Sequence, residues 1–167
     1  MRQIGGIIFD SLAFARDAGE ISGVLAVKDM PRLSGLAAAD GGAQMSQLSC
    51  RLRGGRGEDG KLCLWLSVSG ELSLNCQRCL QPLQLPLQFE SRLLLVPSGA
   101  PWPDEELVDD SADAIEALSE QSLASLVEEE VMLALPLAPR HEVCALPAGG
   151  GTDARPASPF AALVRIK

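Results

Sequence analysis

Tyrosine is absent and histidine occurs once, at His141; with four Phe and two Trp, aromatics make up only 4% of the chain. So sparse a set offers few faces on which nucleotide bases could stack. Affinity for RNA then rests on cations meeting phosphates, and a net charge of -8 does not favour tight, direct binding. No apolar run approaches the roughly 20 residues needed for a membrane span. The apolar opening Ile4-Gly5-Gly6-Ile7-Ile8-Phe9 is cut short by Asp10, too soon for a secretory leader. Five cysteines, an odd number at irregular spacing, argue against an extracellular disulfide framework. A cytoplasmic location is therefore expected, and 167 residues are enough for one domain with a buried core. No glycine-rich phosphate loop leads a strand into a helix, and no serine sits in a nucleophile elbow. No enzyme and no small-molecule substrate are expected.

Lysine and arginine are missing from residues 101–130, which hold 11 of the 22 acids. The rest of the chain is mildly basic, with 14 bases against the other 11 acids. Such a segment is most simply a solvated loop and helix face, with a docking surface for a basic partner as the sharper reading. Its carboxylates cluster where the chain looks mobile, which suits a positioned acid–base pair poorly.

What the sequence does contain is two long runs of strict alternation. Leu62, Leu64, Leu66 and Val68 alternate with Lys61, Cys63, Trp65, Ser67 and Ser69. Leu83, Leu85, Leu87 and Phe89 alternate with Gln84, Pro86, Gln88 and Glu90. A period of two marks half-buried strands, and the short proline-containing gap between them predicts an antiparallel hairpin. Cys76 and Cys79 fall at its tip. Leu48, Cys50 and Leu52 predict a further strand and residues 21–27 another; the glycine-rich stretch 54–60 is expected as a loop, and Gly70 as a bulge or bend. Asp10 and Ser11 are candidate caps for a short helix ending near Gly19, and Pro31 is expected to interrupt regular pairing.

From about Ser119 the spacing changes. Leu123, Leu126, Val127, Val131 and Ala134 recur at helical intervals, with Glu128 and Glu129 assigned to the opposite face, until Pro136 ends the helix. The expected fold is α+β: a curled antiparallel sheet or partial barrel with one main C-terminal helix packed on it. Residues 1–139 form a single domain in this reading, and 140–167 an irregular tail whose apolar end docks on the body.

The residues that could carry chemistry are few. Cys76-x-x-Cys79 admits three readings. A redox dithiol requires a helix N-terminus to lower the thiol pKa, and the flanking alternation predicts strands instead. A structural zinc site requires two further ligands, which His141-x-x-Cys144 would supply as a Cys3His set. Against it stand the sequence separation of the two pairs and the absence of glycine after Cys79. The plainest reading, preferred on sequence, has Cys76 packed inward, Cys79 capping the turn and His141 in an exposed loop. No cofactor is then required, zinc being the one candidate. Arg78 at the tip can grip a phosphate or carboxylate bidentately, and Arg51 and Arg53, with Arg56 in the adjoining loop, are candidates to extend that patch.

The stretch Leu74-Asn75-Cys76-Gln77-Arg78-Cys79-Leu80-Gln81-Pro82-Leu83 resembles the YceD family, the large ribosomal RNA subunit accumulation proteins, whose hallmark is Cys-x-Arg-Cys-Leu-x-Pro. Pro31-Arg32-Leu33 resembles the family's early Arg-Leu. The run from Leu126 through Leu133-Ala134-Leu135-Pro136 to His141 resembles its acidic helix leading into Leu-Ala-Leu-Pro and a following His. Pro159-Phe160-Ala161-Ala162-Leu163 resembles its C-terminal motif, with Ser158 in place of the usual Asn. The resemblance implies a ribosome-biogenesis factor acting on the synthesis, processing or accumulation of large-subunit ribosomal RNA. Its partner would be that RNA, a ribosomal protein or an assembly factor, and the resemblance supplies no catalytic residues. The alternative is a zinc-binding or thiol-dependent protein using Cys76, Cys79, His141 and Cys144.

Overall fold

The computed structural model describes residues 2–38, 46–103 and 112–145. Its elements, in order, are β1 (Ile8–Phe9), α1 (Ser11–Arg16), β2 (Glu20–Ala26), a 3-10 turn (Val27–Asp29), α2 (Pro31–Leu36), β3 (Gln47–Arg56), β4 (Leu62–Asn75), β5 (Pro82–Val96), β6 (Asp113–Glu116), β7 (Gln121–Ser122) and α3 (Leu123–Ala134). The architecture is α+β. Five strands form an open sheet in the order β2-β3-β4-β5-β6, and β1 pairs with β7 in a separate two-stranded ribbon. The sheet does not close into a barrel, and it is mixed, because β6 runs parallel to the end of β5. Among the described residues no helix is long and apolar enough to cross a membrane.

The β4–β5 hairpin is the spine. Its antiparallel register runs without interruption from Cys63 opposite Leu94 to Asn75 opposite Pro82. Leu64, Leu66, Val68, Leu72 and Leu74 of β4 are all buried on the inner face. Burying each leucine stabilises the fold by about 2 kcal/mol. A one-residue slip would turn the whole row to solvent, which is why the register is unambiguous.

No bulge occurs at Gly70, contrary to the sequence expectation. It stands directly between Leu48 of β3 and Leu87 of β5. A Cβ there would come within 2.8 Å of both the Gln47 carbonyl oxygen and Leu48 Cδ2. Glycine is needed for close approach, not for a kink. The expected 54–60 loop is also shorter than its composition suggested, since β3 continues through Gly54 and Gly55 to Arg56. At Gly54 an added Cβ would lie 2.6 Å from the Phe14 carbonyl oxygen and 2.7 Å from Ala15 Cα, so α1 rests directly on this bare backbone.

Asp10 caps α1 by accepting from Ala13 N at 2.7 Å, whereas Ser11 is the first helical residue and its buried hydroxyl binds the backbone of Leu118. Pro31 opens α2 instead of merely interrupting the chain, since its fixed φ suits the first helical position. Ser122 caps α3 through Ser125 N, and Leu123, Ala124, Leu126, Val127 and Val131 bury the helix against the sheet.

Glu128 is not on the solvent face assigned to it from the sequence. It is buried, and its carboxylate accepts from Arg32 N at 2.6 Å, Leu33 N at 3.1 Å and Arg32 Nε at 3.3 Å. Glu130 is buried as well. Two acids counted towards a docking surface are thus internal, while the stretch 104–111 falls outside the described residues.

Candidate metal centre

After the last pair of the hairpin, Asn75 opposite Pro82, the chain reverses through residues 76–81. Cys76 N donates to Gln81 O at 2.9 Å and Leu80 N to Cys76 O at 2.9 Å, which closes the turn around Cys76. The reversal needs a residue in the left-handed region after Cys79, and Leu80 supplies it with φ of 63°. A non-glycine residue there costs about 1 kcal/mol. The missing glycine therefore does not prevent the knuckle from forming.

Among the described residues after α3, 135–145 lie in no helix or strand, and they cross the hairpin tip. Gln77 N donates to Pro139 O at 2.8 Å, and Arg78 Nη1 to Cys144 O at 3.3 Å. The two separate pairs of the sequence meet here. Cys76 Sγ lies 3.8 Å from Cys144 Sγ, and Cys79 Sγ 3.3 Å from His141 Nδ1. All four donor atoms fall within 4.8 Å of one another. A tetrahedral zinc with Zn–S of about 2.3 Å and Zn–N of about 2.0 Å has S···S edges of about 3.8 Å and S···N edges of about 3.5 Å. The donor set therefore fits that ion in both chemistry and size. His141 is half-buried and engaged, not the free loop residue expected.

The surroundings act on three of the four donor groups, Cys76, Cys144 and His141. Burial alone would push the Cys76 thiol up, but the backbone N–H groups of Cys79, Arg78 and His141 point at its sulfur and bring it down to about 5. The Cys144 thiol is pushed up, first by desolvation and then by its contacts with the sulfurs of Cys76 and Cys79. His141 Nε2 lies 3.0 Å from Pro82 O. A carbonyl can only accept, so Nε2 carries a proton and, in the neutral ring, Nδ1 turns its lone pair towards Cys79.

The same geometry disfavours thiol exchange. Cys76 is fully buried and stands at a turn, with no helix beginning there. A reactive thiolate must be reachable. Cys50 is a core side chain whose thiol is pushed up to about 12 by burial.

Arg78 is half-buried at the apex. Arg51 and Arg53 do not extend its patch. They lie opposite Ser67 and Trp65 in the first half of β4. At about 3.4 Å per residue, Arg51 is roughly 27 Å along the strand from the apex. Arg51 also pairs with Glu20 at 2.8 Å, beside a shallow groove of ≈ 510 Å³ lined by Ser22, Ser49, Ser67, Gln88 and Glu90 among others.

A family model described as Large ribosomal RNA subunit accumulation protein YceD matches residues 64–167. That span contains β4 from Leu64 onward, β5, α3 and all four members of the cluster, and leaves out Arg51 and Arg53. No curated protein and no solved structure matches the chain.

Proposed function

The chain belongs to the YceD family, and from that premise we propose that it is a non-catalytic factor supporting the accumulation of large-subunit ribosomal RNA. The observation that carries the reading is the family match over the hairpin from Leu64 onward and the segment crossing its tip. The apex is built for recognition: a half-buried arginine is held by a backbone carbonyl, beside a sulfur too deeply buried to attack a substrate. An overall charge of -8 favours a basic ribosomal or assembly protein as the immediate partner over bare RNA. Arg78 is the residue through which a phosphate or carboxylate of the partner would be gripped. The working location consistent with this role is the cytoplasm.

Depletion of the protein tests the reading. Large-subunit rRNA should fall relative to small-subunit rRNA, and an unchanged ratio refutes it. Capture of partners with and without nuclease treatment then assigns the contact. A partner retained after nuclease is protein-bound, whereas loss of every partner points to RNA held through Arg78.

A further inference from the structure

We propose that Cys76, Cys79, His141 and Cys144 bind one zinc ion with four protein ligands, and that this ion is a structural clamp fastening residues 136–145 to the hairpin apex. The donor type selects the ion. Three thiolates and an imidazole suit zinc, whereas carboxylate and carbonyl sets suit magnesium or calcium. Their arrangement selects the role. Four protein donors leave no open position for water or substrate, which is the mark of a structural site rather than a catalytic one.

Three observations besides the clustering support a bound cation. The Cys76 sulfur accepts from the backbone N–H groups of Arg78 and His141, both at 3.4 Å, an arrangement that suits an anionic ligand. The bond from His141 Nε2 to Pro82 O leaves Nδ1 as the donor atom, the orienting contact that metal-binding histidines commonly make. Leu80 holds a left-handed conformation that keeps Cys79 beside Cys76, and nothing in its own packing requires it, since it is 64% exposed.

The clamp also explains what holds the crossing segment. Residues 136–145 contain no helix or strand. Leu137 and Val143 are 106% and 93% exposed, so burial of those side chains does not anchor it. Its contacts with the apex are the hydrogen bonds of Pro139, His141 and Cys144. Metal coordination would add the binding free energy that so short and exposed a segment otherwise lacks.

Metal analysis of the full chain, purified under reducing conditions from zinc-replete cells, tests the proposal. One zinc per chain is expected, with loss in Cys79→Ser and in Cys144→Ser. Less than roughly a tenth of an equivalent in the unaltered protein overturns it, as does iron or copper in zinc's place, or a Cys76–Cys144 disulfide in fresh protein. Because a serine variant can fail to fold, hydrogen exchange on the unaltered chain with and without a chelator gives a second readout. Exchange at the Gln77 and His141 amides should accelerate at least roughly a hundredfold, while Leu64 and Leu66 in β4 stay protected. Equal exchange in both conditions, or loss of protection throughout, overturns the clamp.

Discussion

Replacing Glu128 by alanine should destabilise the protein far more than an acid on a helix face would suggest. The first helical residue of α2 is Pro31, the preceding Met30 offers no side-chain cap, and the amides of Arg32 and Leu33 are satisfied instead by Glu128 of α3. Each hydrogen bond from a neutral N–H to a buried carboxylate contributes about 1.5 kcal/mol. The Arg32 guanidinium adds little, because its side chain is 53% exposed while that of Glu128 is 7% exposed, and such half-exposed pairs contribute about 0.5 kcal/mol. Glu128→Ala should therefore cost about 3–4 kcal/mol, lowering Tm by roughly 6–16 °C at this chain length. Glu128→Gln keeps an acceptor and should cost about 1 kcal/mol, and Arg32→Ala about 0.5 kcal/mol. Urea unfolding of the three variants measures the series. If Arg32→Ala costs as much as Glu128→Ala, the carboxylate works as an ion-pair partner and the capping argument is wrong.

Burial raises the Glu130 carboxyl above its usual range, with Asp113 and Glu129 adding to the effect and a hydrogen bond from Ser91 opposing it. The fold therefore favours the protonated form, and stability present below the unfolded pKa of about 4.3 is lost as pH rises through the folded value. Glu130→Gln should raise Tm at pH 8, with the gain closing by about pH 4; an equal gain at both pH values in calorimetry refutes this. Leu80→Gly should relieve the left-handed strain and stabilise the apex by about 0.5–1 kcal/mol, and a loss of stability on denaturation would contradict the assigned conformation. Gly54→Ala should cost about 2 kcal/mol, because the new methyl meets the backbone of α1 rather than a movable side chain; an unchanged unfolding midpoint would show that α1 can shift freely.

The sheet could be read from the sequence wherever one face is buried and the other wet. Leucine, valine or phenylalanine recurs at every second position from Leu62 to Val68 and from Leu83 to Phe89, so strand, face and hairpin followed directly, although Cys63 on the opposite face is buried too. Alternation carries no record of what a bare position is for. Gly54 and Gly70 read as loop and bulge because the bodies that require them, α1 and Leu48, arrive through tertiary packing. The short parallel strand β6 offered too few residues for a period to show.

At the site, spacing within Cys76-x-x-Cys79 and His141-x-x-Cys144 was visible, but their meeting depends on how the chain returns after α3. Leu80 carries no chemical sign of its positive φ, so the absence of glycine after Cys79 did not reveal whether the turn could form. Glu128 was misplaced because its partners lie 95 and 96 residues upstream, beyond any local pattern. Glu130, seven residues after Leu123, does lie on the apolar stripe, and its burial could have been inferred from the helical period alone.

That the hairpin apex is where this protein meets its partner is tested most directly by rescue of depleted cells. The measurement is the ratio of large- to small-subunit rRNA with Arg78→Glu compared with the double variant Arg51→Glu, Arg53→Glu, each first shown to melt like the unaltered chain. The predicted result is that the strand variant restores the ratio and Arg78→Glu leaves it at the depleted level. Full restoration by Arg78→Glu would contradict the account.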